Sequence, residues 1–332
     1  MKLYTNIFCG NLVKQTWRDG WTEDPGHGNE NILEENITMK QHSLSQIERI
    51  QGWLFCLPWI IGFLLFTVGP MVYSLFLSFT DYDMFNKAQW IGLANYQKIF
   101  SRDILVPVGV RTTVLFTLFS VPLNLIGGLA LGLLLNHKIK GISTFRTVFY
   151  IPAVVPYVAC LLMWQLVYNQ NFGLLNAILA KFGVTGPNWL GDPKWALSSL
   201  VIISFWGVGR DMLIYLGGLQ GIPTEYYEAA DIDGASRWRK IMNITLPLLL
   251  PIIAYTSILG IITSLQAYNT AYILTAGGPA NSTYFYMLHV FFKAFEDYQM
   301  GYSSALSWLL FIVTLGLTFL AFALFRRKSN EA

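Results

Sequence analysis

The polarity of the chain changes abruptly near Trp53. Before it, residues 1–48 include QTWRDGWTEDPGHGNENILEENITMKQHS, which is rich in Asn, Glu and Gly and has no helical or strand period. This stretch reads as a mostly disordered cytoplasmic tail. It lacks the basic flank, apolar core and small-residue cleavage site of a signal peptide, and Met39-Lys40 offers an alternative start that would leave the tail untranslated. From Trp53 onward, apolar runs of about 20 residues, the length needed to cross a hydrocarbon layer, recur six times. They fall at 53–79, 110–136, 147–168, 195–219, 247–274 and 302–325. Pro58, Pro70, Pro122, Pro152, Pro156 and Pro251 lie inside them. Proline breaks helices in water, but neighbouring helices in a membrane bundle re-satisfy the freed carbonyls, so kinks are expected there. The pattern predicts an all-α integral membrane fold of six transmembrane helices over residues 49–328, with 329–332 as a short C-terminal end.

Composition agrees with this reading. Of 332 residues 54% are hydrophobic and only 12% charged, about half the charge of a soluble domain, and the mean hydropathy is +0.46. A soluble enzyme is thereby disfavoured, and a net charge of +3 gives no general attraction to nucleic acid. The placement of charge is more informative. With an internal N-terminus, the inner segments 137–146, 220–246 and 326–332 hold nine basic residues: Lys138, Lys140, Arg146, Arg237, Arg239, Lys240, Arg326, Arg327 and Lys328. The longer outer segments hold six: Lys87, Lys98, Arg102, Lys181, Lys194 and Lys293. Basic residues are retained on the cytoplasmic side, so both termini are expected inside. Cys9, Cys56 and Cys160 have no disulfide or zinc spacing, and His27, His42, His137 and His289 have no metal-ligand spacing.

The segment Gly221–Pro251, GIPTEYYEAADIDGASRWRKIMNITLPLLLP, carries the most information. Pro223, Thr224 and Glu225 start a helix, Gly234 stops it, and Ser236 caps a second short helix that ends where Leu246-Pro247 enters the membrane. Ala229 and Ala230 are small enough for a contact face that enters a partner's groove, and Glu228 is placed to pair with a basic group or cap backbone donors. An amphipathic helix of this size is, by itself, more often a bland interfacial segment. Its spacing is more specific. Glu228-Ala229-Ala230, three residues, Gly234, nine residues, then Ile244-Thr245-Leu246-Pro247 resembles the EAA signature of permease subunits of binding-protein-dependent ABC importers. The resemblance runs from about Trp53 to Phe325 through LPWIIGFLLFTVGPMVYSLFLSFTDYD, WIGLANY, FRTVFYIPAVVPYVACLLMW and LTAGGPANST. It is most similar to the sugar-importer branch, the first permease of maltose or glycerol-phosphate type, and the polar tail lies outside it.

The resemblance implies a type I ABC importer permease in a bacterial cytoplasmic (inner) membrane, a non-catalytic subunit that forms half of a translocation pore. It implies a homologous second permease, an ATPase dimer that holds ATP and Mg, an extracytoplasmic solute-binding protein and a sugar substrate. The loop at 221–247 becomes the coupling segment, with Glu228, Ala229, Ala230, Gly234, Ile244, Leu246 and Pro247 as its coupling residues. The chain has no Gly-Lys dipeptide and hence no phosphate-binding P-loop of its own. For the sugar path, intramembrane charge and aromatic faces single out Trp206, Gly207, Arg210 and Asp211 in the fourth apolar run; bracing of the bundle against the sister subunit is an equal reading for the two charges. Gln266, Tyr268 and Asn269 end the fifth run, and Gly277-Gly278-Pro279 marks an outer turn. An ion-coupled secondary transporter is the alternative, though such a carrier needs no docking helix and usually shows an internal repeat.

Overall fold

The computed structural model describes residues 51–137 and 140–331, so the N-terminal tail, Cys9 and Lys138 lie outside the described residues. The chain divides after Pro70. The described part of the first unit, residues 51–70, is helical with a π turn at Leu64–Val68, and Trp59 stacks on Phe63 at 5.5 Å. It buries none of its large apolar side chains; Phe55 and Phe66 are more than four-fifths exposed. In water this would be untenable, and in lipid it is the expected state of a spanning helix.

The second unit opens with the last turns of α1 (Gln51–Leu77). A short antiparallel ribbon follows, β1 (Thr80–Asp81) with β2 (Gln89–Trp90), Thr80 facing Trp90. Then come α2 (Ala94–Ser101), α3 (Leu105–Leu135), α4 (Ile142–Val154), α5 (Tyr157–Val167), α6 (Leu174–Lys181), α7 (Pro193–Trp206) and α8 (Gly209–Gln220). The chain continues through α9 (Glu225–Ile232), α10 (Arg237–Leu265), α11 (Asn269–Thr275), α12 (Tyr286–Phe295) and α13 (Met300–Glu331). Four helices are long and apolar enough to cross a membrane, and two bent pairs bring the spans to as many as six.

The bends correct the expectation of simple kinks. The third run is two helices, α4 and α5, meeting at 97°. Val155 is extended (ψ 135°) because the ring of Pro156 excludes the helical conformation from the residue before it; Pro152, one turn earlier, stays within α4. The fourth run bends by 45° between α7 and α8. The expected short helix after Ser236 does not stop at Leu246-Pro247 but continues to Leu265. A π turn at Ile241–Thr245 immediately precedes Pro247, which has no N–H to offer the carbonyl of Asn243, so the widened turn accommodates the proline without ending the helix. The fifth span accordingly ends at Leu265 rather than near 274.

The core is where these helices cross: Leu161, Tyr168, Leu200, Met212, Tyr215 and Phe285 are almost wholly buried. Arg146 of α4 donates to the carbonyl of Leu135 (2.8 Å), one of the orphan acceptors at the end of α3. The opposite end is stitched over long sequence distances. Asn95 donates to the carbonyls of Ser78 and Thr80, and the Gly301 N–H donates to the carbonyl of Tyr82. Asp103 Oδ2 accepts from the Tyr302 hydroxyl (2.7 Å) and from His289 Nε2 (2.9 Å), while Asp103 Oδ1 accepts from the Leu105 N–H. The Tyr284 hydroxyl completes the chain at His289 Nδ1 (2.9 Å).

Burial pushes the Asp103 carboxyl up, but the bond from Tyr302, the attraction of His289 and the Leu105 N–H outweigh it and hold the group below 3.8. Burial holds His289 below 6.5 against the opposing pull of Asp103. The imidazole is therefore neutral at pH 7, donating from Nε2 to the carboxylate and accepting at Nδ1 from Tyr284, whose own hydroxyl burial pushes up to about 12. Both folded values are lowered, so both contributions are fully present above the unfolded values. The histidine contribution is lost as pH falls below 6.5 toward the folded value, and the aspartate contribution as pH falls below 3.8. Thermal melting of the purified protein should thus show a lower midpoint at pH 5 than at pH 7, with that difference flattened in His289→Gln. Asp103→Ala, which strands the Tyr302 hydroxyl, His289 Nε2 and the Leu105 N–H, should cost about 2–4 kcal/mol at pH 7.

Candidate functional site

Two features stand out in the second unit, a cavity among the spans and an exposed loop joined to one of its walls. The cavity, about 410 Å³, is walled by α3, α4, α5, α7, α8 and α10. It forms at the two breaks in the bundle: Pro152, Val155 and Tyr157 surround the first, and Trp206, Gly207 and Arg210 surround the second. Irregular backbone at membrane depth is tolerated where it lines such a space, because its unpaired groups face water or ligand rather than lipid. The two broken spans cross closely. A Cβ on Gly209 would stand 2.0 Å from the carbonyl oxygen of Phe149, so only glycine fits the crossing.

Polar groups enter from several elements. Asn124 of α3 donates to the carbonyl of Ser120 (2.8 Å) and to Ser204 Oγ (3.2 Å) on α7, while its amide oxygen accepts nothing among the described residues. Tyr157 at the start of α5 is hydrogen-bonded to Thr270 on α11. Arg210 Nε and Asp211 Oδ1 pair at 3.7 Å; the arginine side chain is 69% exposed and the aspartate 19%. The Asp211 Cβ packs closely where α3 has Gly128, while the Arg210 side chain is left largely exposed and lines the cavity. Trp206 presents its indole to the cavity and is held from behind by an edge-on contact with Trp164 at 5.4 Å. The arrangement offers fixed donors, fixed acceptors and aromatic faces, with the two formal charges cancelling.

Trp206, Gly207, Arg210 and Asp211 are thus brought together around the cavity. Gln266, Tyr268 and Asn269 are not among its lining residues. Tyr268 stacks on Phe291 at 5.3 Å, and the cavity is faced instead by their neighbours Thr263, Ser264, Ala267 and Thr270. The cause is the end of α10 at Leu265, which turns the following residues out of helical register. Pro152 lines the cavity as well as sitting in α4. Asn124 and Tyr157 went unrecognised in the sequence, although an asparagine inside an apolar helix and an aromatic directly after a Val-Pro break were signals for both.

The loop is built as its sequence suggests up to Ser236. α9 runs to Ile232, Gly234 takes φ +69°, and Ser236 Oγ accepts from the Arg239 N–H at 3.3 Å. Only glycine adopts that left-handed turn without strain. Two contacts weld α9 to α10: Asp231 pairs with Lys240, and the Tyr227 and Thr245 hydroxyls bond at 2.9 Å. Glu228 makes no ion pair or side-chain hydrogen bond among the described residues and stands exposed with Ala229, whereas Ala230 is buried. Ile244, Leu246 and Pro247 are half-buried on α10. Large apolar side chains of the loop remain open, with Tyr226 54%, Ile232 88% and Trp238 67% exposed.

Residues 124–328 match the family described as binding-protein-dependent transport system inner membrane component. The chain is similar to the probable ABC transporter permease protein YesP of Bacillus subtilis, 39% identical over 288 residues that cover 86% of this chain and 93% of the relative. It is also similar to the trehalose/maltose transport system permease protein MalF of Thermococcus litoralis, 37% identical over 301 residues covering 89% of this chain and 100% of that one. Its fold resembles that of a bacterial alginate ABC transporter crystallised in complex with an alginate pentasaccharide-bound periplasmic protein, with a TM-score of 0.77 and 21% identity over 86% of this chain and 97% of that one.

The tightness of the crossing is open to direct test. Gly209→Ala forces the backbone at Phe149 and Tyr150 to move and should destabilise the protein by about 1–3 kcal/mol, read as a lower thermal midpoint in detergent; an unchanged midpoint would mean the two broken spans do not meet as described.

Proposed function

We propose, from the premise that this chain belongs to the family of binding-protein-dependent transport system inner membrane components, that it forms one half of a sugar-conducting pore whose movement is driven by a separate ATPase. The chain is a multi-pass protein of the cytoplasmic membrane with the fold of an ABC importer permease. The observation that carries the mechanical part is the continuity of α10. Its first turns are bonded to the exposed loop, and Thr256, Gly260, Thr263 and Ser264 on the same helix face the cavity. From Thr245 to Thr263 the rise is about 27 Å, so a helix that moves as a unit carries a displacement of the loop to the cavity wall.

In this reading the loop is the cytoplasmic coupling segment. Tyr226, Ala229 and Ile232 enter a cleft of one ATPase subunit of a dimer, which holds the ATP and Mg. Glu228 stands free to meet a basic group there, Gly234 sets the angle of α9, and Ile244, Leu246 and Pro247 pass the push into the membrane. A homologous second permease closes the other side of the cavity. The end of the bundle away from the loop, including the turn at Gly277-Gly278-Pro279, receives an extracytoplasmic binding protein. The sugar passes Trp206 and Tyr157 as stacking faces, with Asn124, Arg210 and Asp211 exchanging hydrogen bonds with its hydroxyls. Donors beside acceptors with no net charge suit a polyhydroxylated ring better than an ion that would need its own counter-charge.

Gly234→Val places a β-branched residue in the left-handed region, which is sterically penalised. In the reconstituted transporter it should lower sugar uptake, and the ATP hydrolysis stimulated by loaded binding protein, by about tenfold or more, the order of ordinary coupling energies. Sugar binding by the isolated binding protein should not change. Full transport by Gly234→Val, or failure of the wild-type chain to associate with any ATPase subunit when co-expressed with its partners, overturns the reading.

A further inference from the structure

A second, smaller groove of about 210 Å³ lies at the end of the bundle opposite the coupling loop, walled by Phe100 of α2, Val110 and Val114 of α3, and Leu310 and Val313 of α13. The two polar side chains that border it are already satisfied inside the protein. Thr113 Oγ1 accepts from the Tyr286 N–H (2.9 Å), and the Tyr286 hydroxyl donates to the carbonyl of Leu306 (2.9 Å). The groove therefore offers hydrocarbon and no hydrogen bond, which disfavours a sugar or ordered water.

Two arginines flank it in sequence, beside the Asp103 carboxylate, which Tyr302 and His289 already engage. Arg111 directly follows Val110 on α3, and Arg102 lies in the link between α2 and α3; both are exposed, and neither is in an ion pair among the described residues. Arg111 is six residues beyond the start of α3, about 9 Å along the axis, within the depth from which an arginine side chain snorkels to the headgroup layer. Lys98 nearby is already engaged, donating to Gln299 and lying 4.1 Å from the Tyr302 ring centre.

The geometry points to a bound anionic phospholipid, one acyl chain in the groove and its phosphate met by Arg111 and Arg102, in the leaflet away from the coupling loop. A purely apolar occupant, such as a span of a second permease, matches the groove wall but leaves the two guanidinium groups without a counter-charge at the membrane surface. A phosphodiester carrying an acyl chain matches both. The inference rests on the membrane location and on this groove, and it stands whatever the transported solute is.

The test uses the full chain reconstituted in phosphatidylethanolamine vesicles containing phosphatidylglycerol with a diazirine midway along one acyl chain. After illumination, labelled positions are read by peptide mass spectrometry. Labelling at Val114, Leu310 and Val313 should exceed that at the exposed Phe319 and Leu320 on the same last span, and it should fall by about fivefold in Arg111→Gln and again in Arg102→Gln, the scale of one basic residue against an anionic lipid. Labelling at Phe319 and Leu320 should stay constant, and an unchanged thermal midpoint establishes that the variants fold. Uniform labelling along α13, or groove labelling indifferent to both arginine changes, overturns the assignment. So does a Leu310→Cys variant that cross-links to a co-expressed second permease, since the groove would then be a subunit contact.

Discussion

A membrane-embedded backbone must satisfy its own hydrogen bonds, and the two interrupted spans are where this chain meets that constraint without a continuous helix. Each break frees carbonyl and amide groups that lipid cannot receive. The chain places the breaks side by side, with Gly209 of one against the Phe149 carbonyl of the other, and opens the cavity there. The position of the cavity follows from where α4 and α7 end. Its polar lining is a further consequence, because the turns that end those helices bring Tyr157, Trp206 and Arg210 to one place from three directions.

The charge pair at Arg210 and Asp211 fits the same logic. An isolated guanidinium among the spans would be costly, as would an isolated carboxylate. Adjacent in sequence at the first turn of α8, they compensate one another, and the carboxylate also lies near the positive end of that helix. The aspartate is backed by α3 through Gly128, whereas the arginine is left exposed. One member of the pair is thus packed against a neighbouring helix and the other is exposed.

Much of this was legible in the sequence, and the residues that were not share a physical cause. Glu225 and Gly234 mark the bounds of α9, and Ser236 starts the next helix, because capping and left-handed turns are decided within a few residues. The continuation of α10 through Pro247 was not readable, since a π turn compensates for the missing N–H and no local rule announces one. The full break at Val155-Pro156 was half-signalled: the dipeptide predicts a departure from helix but not an angle of 97°. Gln266, Tyr268 and Asn269 lie outside the cavity lining because α10 ends at Leu265, while Ser264 and Thr270 take the inward positions. The network of Asp103, His289 and Tyr302 joins residues nearly 200 positions apart, and His289 alone in an aromatic stretch carries no hint of its partner.

The two ends of the bundle differ in how firmly they are tied, and the difference bears on where movement is accommodated. At the end holding Asp103, hydrogen bonds link β1, α2, the start of α3, α12 and the start of α13. At the other end the loop is fastened chiefly to α10, through Tyr227 and Asp231, and leaves large apolar side chains exposed. A displacement entering at the loop therefore travels along one long helix toward a cross-linked cap. Packed helices shift as units, so conformational change concentrates where regular backbone is interrupted. Among the described residues such interruptions include the link between α4 and α5, the link between α7 and α8, and residues 266–268 after α10. Each contributes to or adjoins the cavity wall, so the points best able to yield are also the points that decide the cavity's shape.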